Sequence, residues 1–116
     1  MRIAIPYEDG SIFPHFGKST HFKIYEVEEG KVLSSVLLSS EGKRHEELAQ
    51  LIEKWDIDVV LCGRIGPGMV GFISALDIEL YPGCEGDADE ALEAFLNGEF
   101  SSIAEEDAQS VCTYRA

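Results

Sequence analysis

Two histidines lie six residues apart in the segment FPHFGKSTHF, residues 13–22, and their imidazoles are the side chains here best suited to hold a metal. Neutral imidazole ligates iron, copper and zinc, and it changes charge near neutral pH. His15 and His21 stand among aromatic residues, with Gly17 between them, and His45 is the third histidine. The cysteines are three, Cys62, Cys84 and Cys112, with no CxxC pair. That odd number argues against a disulfide framework and against a structural zinc site, and free thiols fit a reducing compartment. Each of these residues also has a plainer reading. His15 is a loop imidazole, and His21 packs or caps at the start of a strand. His45, three before Leu48 and seven before Ile52, shares an apolar helix face. Cys62 ends an apolar strand and serves as a small hydrophobe. Cys84, between Gly83 and Glu85, is the thiol expected to be exposed. Cys112 lies in the tail.

The second chemical feature is GRIGPGMVG, residues 63–71. From Gly66 it matches GxGxxG between a strand and a helix. Pro67 removes a backbone donor that a pyrophosphate would use, and no Walker lysine follows, so a P-loop is excluded. Two readings remain. In one, free N–H groups at the helix start, with Arg64, hold an anion or an anionic cluster. In the other, the glycines only make a tight strand-to-helix turn.

The elements that must position these residues follow from periodicity. Residues 2–6 (RIAIP) are a short strand ended by Pro6, and Gly10, Pro14 and Gly17 punctuate a loop over 7–20. Residues 21–28 alternate, Gly30 turns the chain, and KVLSSVLLS completes a hairpin. Over 42–55 the apolar period becomes helical through Leu48, Leu51, Ile52 and Trp55, with Ser39 or Ser40 as cap. Residues 57–62 (IDVVLC) are a continuous apolar strand of the kind buried on both faces. A second helix is expected over 67–76, with Pro67 in its first turn. A strand over 77–81 follows, then a third helix, DADEALEAFLN, stopped by Gly98. The order β-β-β-α-β-α-β-α predicts an α/β fold: a mixed five-stranded sheet with helices on both faces, resembling a ribonuclease-H-like three-layer α/β/α arrangement. Residues 1–98 form the domain, and 99–116 a polar, acidic tail expected to be partly disordered.

In such a sheet all but the second strand run the same way. His15, His21, the start of the helix near His45, the GRIGPG turn and Cys84 then all fall at the carboxyl end, where open α/β sheets bind ligands.

Charge narrows the function. The formal net charge is −13, and beyond residue 64 the only basic side chain is Arg115, against eleven Asp/Glu. So acidic a surface disfavours nucleic acid and anionic membranes. There is no apolar run of membrane-spanning length, and the N-terminus lacks the flanks of a signal peptide, so a cytoplasmic protein is expected. No pair of carboxylates stands on the central strands to hold divalent metals, which removes a ribonuclease-H-type nuclease, and no serine lies in a nucleophile-elbow pattern.

Taken together, RIAIP, HFGKSTHFKIYEVEEGKV, DVVLCGRIGPGMVGFISALDIELYPG and GDADEALEAFLNGE resemble the dinitrogenase iron–molybdenum cofactor biosynthesis family. That family includes NifX-type carriers, the C-terminal region of NifB-type proteins and small stand-alone members. The resemblance implies a non-enzymatic protein that binds or carries an iron–sulfur-containing or iron–molybdenum cofactor precursor, between donor and acceptor proteins, as a monomer or weak homodimer. His15, Phe16 and Gly17 match the family's HFG segment, and Gly63, Gly66, Pro67 and Gly68 its glycine turn. Arg64 stands where relatives often have a smaller or apolar residue. On this reading the cofactor contacts are His15, Phe16, Gly17, Gly63, Arg64, Gly66 and Gly68, with His15, His21, His45 and Cys84 as metal ligands. The other reading is a metal-free regulatory or interaction module of the same fold, acting through its acidic face or a free sheet edge.

Overall fold

The computed structural model describes residues 1–39 and 45–98. The expected tail, Cys112, Ser40 as a helix cap and the first residues of the expected 42–55 helix lie outside these. The described strands are β1 (Arg2–Glu8), β2 (Ser11–Ile12), β3 (His21–Glu28), β4 (Lys31–Ser39), β5 (Val59–Leu61) and β6 (Glu79–Tyr81). The helices are α1 (His45–Lys54), α2 (Pro67–Ser74) and α3 (Ala88–Leu96). The sheet runs β4-β3-β1-β5-β6; β3 is antiparallel to both neighbours, and β1, β5 and β6 are parallel.

The middle of the sheet is buried on both faces because its central strands are apolar at consecutive positions. Ala4, Phe22, Ile24, Val60 and Cys62 face α1 and α2, meeting Leu48, Ile52, Met69 and Ile73. Ile3, Ile5, Tyr25, Val59, Leu61 and Tyr81 face α3, meeting Ala88, Ala91 and Leu92. Each such leucine or isoleucine, fully buried, contributes about 1.5–3 kcal/mol from area removed from water. The result is the expected three-layer arrangement.

Two expectations are corrected. The sheet has six strands, and β1 continues through Pro6 to Glu8. Proline is tolerated because its nitrogen lies past the last β1–β5 pair, Ala4↔Val60, where no ladder bond is required, while its carbonyl accepts from Phe13 N at 2.9 Å. The added strand, β2, folds back on β1 through Asp9-Gly10, both at positive φ (48° and 88°). That is the geometry of a two-residue type I′ hairpin, for which Asp-Gly is a strong signal. Glu29-Gly30 makes the equivalent turn between β3 and β4.

A polar clasp fastens α3 to the sheet. Asp87 caps the helix by accepting from Glu90 N at 2.9 Å. Asp89, in the first turn, accepts from Tyr25 Oη at 2.6 Å and Lys23 Nζ at 3.2 Å, and Lys23 also lies over the rings of Tyr7 and Tyr25. Burial, then the bond to Asp89, pushes the Tyr25 phenol far above its ordinary value. The Tyr25 bond and the nearby Lys23 hold Asp89 below the usual carboxylate range. The signs are opposite. The Tyr25 contribution is complete below about pH 10, where the unfolded phenol is neutral, and is lost as pH rises further. The Asp89 contribution is present above about pH 4 and is lost as pH falls through the lowered folded value; it is small because this carboxylate is mostly exposed. Tyr25→Phe should cost about 1–2 kcal/mol at neutral pH and flatten the stability loss above pH 10. Urea melts of both proteins across that range test this.

Candidate functional site

The loop after β1 and the turn after β5 are stitched together at the carboxyl end of the sheet. Arg64 N donates to Pro14 O at 2.8 Å, and Phe16 N donates to Arg64 O at 2.9 Å. His15, lying between these bonds, forms an isolated parallel bridge with Arg64. The contact demands glycine at 63: a Cβ there would stand 2.9 Å from Pro14 O and 3.2 Å from Pro14 Cα. Phe16 pins the loop from below. It is fully buried and meets Phe22 edge-on, with ring centroids 5.3 Å apart. Ser19 Oγ donates to Phe16 O at 2.6 Å and closes the short turn Phe16–Lys18.

The loop after β6 completes an open cleft of about 640 Å³. Gly83 N donates to Gly63 O and Cys84 N to Cys62 O, each at 2.9 Å, so this loop extends the β5–β6 pairing beyond the strands. The walls come from Ile12 of β2, from Pro14 and His15 after it, from residues 63–65, and from residues 82–85. His15, Arg64 and Glu85 are exposed on it. The cleft therefore offers one permanent cation, one imidazole and one carboxylate around a glycine and proline floor. α2 starts just beyond it, at Pro67, with Gly66 as its N-cap.

The expected site residues divide accordingly. His15, Gly63, Arg64 and Cys84 line one cleft. Cys84 is not the exposed thiol expected: it is 2% accessible, its Sγ donates to Tyr81 O at 3.3 Å, and it packs with the α3-side core. The backbone pairing with Cys62 carries it inward, which its glycine and glutamate neighbours do not reveal. Phe16 belongs to the core and offers no cofactor surface. Gly17 lies in the exposed turn behind it. Gly66 and Gly68 flank the α2 start outside the cleft wall, and neither needs to be glycine for steric room. His21 opens β3, half-buried, with its Nδ1 3.0 Å from Thr20 Oγ1, and is not part of the cleft wall. His45 opens α1, and its side chain lies outside the described residues. Among the described residues no group of three or more His, Cys, Asp or Glu side chains is arranged to hold a metal ion. Sequence reasoning missed the contribution of Pro82 and Glu85. Their signal was the glycine-rich segment YPGCEG after β6.

Residues 1–98 match the family model described as dinitrogenase iron-molybdenum cofactor. The chain belongs to that family. Its relatives include an uncharacterized protein of Methanocaldococcus jannaschii, MJ0580, 26% identical over 108 residues that cover 89% of this chain and 92% of the relative. The crystal structure of PH0822 superposes with a TM-score of 0.80 at 25% identity, covering 89% of this chain and 96% of that one. The apo form of the orange protein from Desulfovibrio gigas gives 0.77 at 25% identity, covering 89% and 92%. These two solved proteins share this fold. No helix among the described residues is long and apolar enough to cross a membrane.

Gly63→Ala should cost about 1–3 kcal/mol, as overpacking does, and should break the Arg64–Pro14 bond, shifting the His15 ring resonances. Gly71→Ala, in α2 with open space around it, should instead stabilise by about 0.5–1 kcal/mol. Thermal melts and imidazole NMR of the two variants distinguish a steric requirement at 63 from a general cost of replacing glycine in this segment.

Proposed function

We propose that this protein is a non-enzymatic carrier of an iron–sulfur-containing metallocofactor or its precursor, held as cargo in the cleft at the carboxyl ends of β1, β5 and β6. The observation that carries the reading is the juxtaposition of His15 and Arg64, locked side by side by two backbone hydrogen bonds on the rim of that cleft, in a chain of this family. Imidazole is a borderline ligand suited to iron, and a guanidinium attracts a cluster of net negative charge. The N–H groups at the start of α2, which follows Ile65 of the cleft wall, favour the same sign. The bare backbone at Gly66 and Gly68, which the fold does not require, leaves that approach open. The sparse set of ligating side chains suits a carrier, which must release what it holds, and the orange protein of the same fold is known in an apo form. Cys84 would join only after its thiol left the Tyr81 carbonyl. Donor and acceptor proteins of a cofactor assembly route would be the partners, and the cytoplasm the compartment.

A second reading, a metal-free interaction module, is favoured by the lack of any three-residue ligand group among the described residues. Anaerobic reconstitution with iron and sulfide separates the two, read by metal analysis and visible absorption. Stoichiometric iron with charge-transfer bands is expected. His15→Ala should weaken retention about 10-fold or more, as loss of a ligand or its support does, and Arg64→Ala should weaken it with the band shape kept. His45→Ala tests whether the start of α1 contributes. A folded protein that takes up no iron leaves the module reading.

A further inference from the structure

We propose that Glu85 sets the specificity of the cleft: its carboxylate turns away free inorganic oxyanions that Arg64 would otherwise hold, and it admits an anionic ligand that presents a metal or a proton donor to it. The choice of ligand rests on the cleft being the cargo site. Among the described residues of the wall, Arg64 is the one permanent cation and Glu85 the one carboxylate. The two lie on neighbouring segments. Gly83 N donates to Gly63 O and Cys84 N to Cys62 O, each at 2.9 Å. Arg64 follows Gly63 and Glu85 follows Cys84, so their backbones are about 5–8 Å apart, one strand spacing with a short offset along the chain. His15 pairs with Arg64 from the other side. The wall therefore carries imidazole, guanidinium and carboxylate in a row across adjacent segments. Glu85 is held there from both sides, by the bond at Cys84 N before it and by Gly86 O after it, which accepts from Ile12 N at 2.9 Å.

A site built for phosphate or sulfate surrounds the oxygens with N–H donors and positive charge. This wall has few donors to give. Pro14 and Pro82 carry no N–H. The N–H groups of Ile12, Arg64, Gly83 and Cys84 are spent on Gly86 O, Pro14 O, Gly63 O and Cys62 O. What meets an incoming anion is chiefly the Arg64 guanidinium, and Glu85 stands one segment away. A carboxylate only accepts hydrogen bonds, as sulfate oxygens do. Bringing the two together sets like charges side by side with no proton between them. A hydrogen bond from Glu85 to a neighbour leaves its charge in place. A metal–sulfide anion differs from sulfate in this respect. It holds cationic metal within a negative periphery, so one side can meet Arg64 while a metal turns to the carboxylate, a group that ligates iron as imidazole does.

Glu85→Gln keeps the shape of this exposed side chain and removes its charge. Sulfate is titrated against sodium chloride at matched ionic strength, and the NMR signals of Arg64 and His15 are followed. Glu85→Gln should bind sulfate about 10-fold or more tighter than the wild-type chain, the effect of removing one like charge at this distance near a surface. Glu85→Ala, which removes the charge without adding a donor, should shift the affinity in the same direction. Adding Arg64→Ala to Glu85→Gln should abolish the gain. In anaerobic reconstitution with iron and sulfide, Glu85→Gln should instead retain iron about 10-fold less well. A merely structural role for Glu85 weakens both kinds of binding. The proposal is overturned if the wild-type chain binds sulfate as tightly as Glu85→Gln, or if both variants, folded by circular dichroism, gain no sulfate binding. The cargo reading fails separately. Iron taken up by neither the wild-type chain nor Glu85→Gln, with the sulfate difference present, rejects the carrier and upholds the exclusion by Glu85. Iron retained alike by both, with sulfate bound by neither, keeps the carrier and rejects this proposal.

Discussion

The approach of the Pro14 carbonyl to the Cα of Gly63 is the contact on which the functional end of the molecule depends. It is a packing constraint before it is a chemical one. Two loops separated by some fifty residues in sequence close on each other because position 63 carries no side chain. The two hydrogen bonds between Arg64 and the 14–16 segment follow from that closeness, and His15 stands beside Arg64 as a consequence. Phe16 supplies the opposing force. Its ring, driven into the core against Phe22, prevents the loop from lifting away. A segment that reads as a string of chemically interesting residues is thus divided in function: Phe16 anchors, Gly63 admits, and His15 and Arg64 remain for the solvent side.

The frame around that contact was readable because its signals are redundant. IDVVLC is apolar at nearly every position and bounded by turns, so it reads as a strand buried on both faces, and Val59–Leu61 are buried throughout. α3 carries a cap, acidic residues in its first turn and a glycine stop, and it ends as those signals say, with Gly98 at positive φ. Where a signal was single, the reading failed. Pro6 alone suggested the end of a strand, because proline lacks a donor. Whether a donor is needed depends on how far the neighbouring strand extends, which is a tertiary fact. Asp9-Gly10 was a hairpin signal hidden in a segment that the proline had already assigned to a loop.

The site was readable in outline and not in detail, for a similar reason. Topology brings several loops to one end of a sheet, and the chain's own strand order delivers His15, Arg64 and Cys84 to one cleft. Topology does not resolve positions along the edge of the sheet. β3 lies on the far side of β1 from β5, so His21 shares an end with the cleft without sharing its wall. Exposure is likewise set by backbone pairing rather than by neighbours in sequence. Cys84 sits between a glycine and a glutamate, and is drawn under the surface by the bond from its N–H to Cys62 O.

The charge distribution gives this arrangement its physical sense. A chain of net charge −13 creates a field that repels an anionic cluster at long range. Within a Debye length, about 8 Å at physiological ionic strength, the local groups decide. On the cleft wall these are Arg64 and the imidazole of His15, opposed by Glu85, with the start of α2 just beyond. For the cargo proposed above, attraction at contact set against repulsion at a distance would slow capture from bulk solution and favour direct transfer from a donor protein.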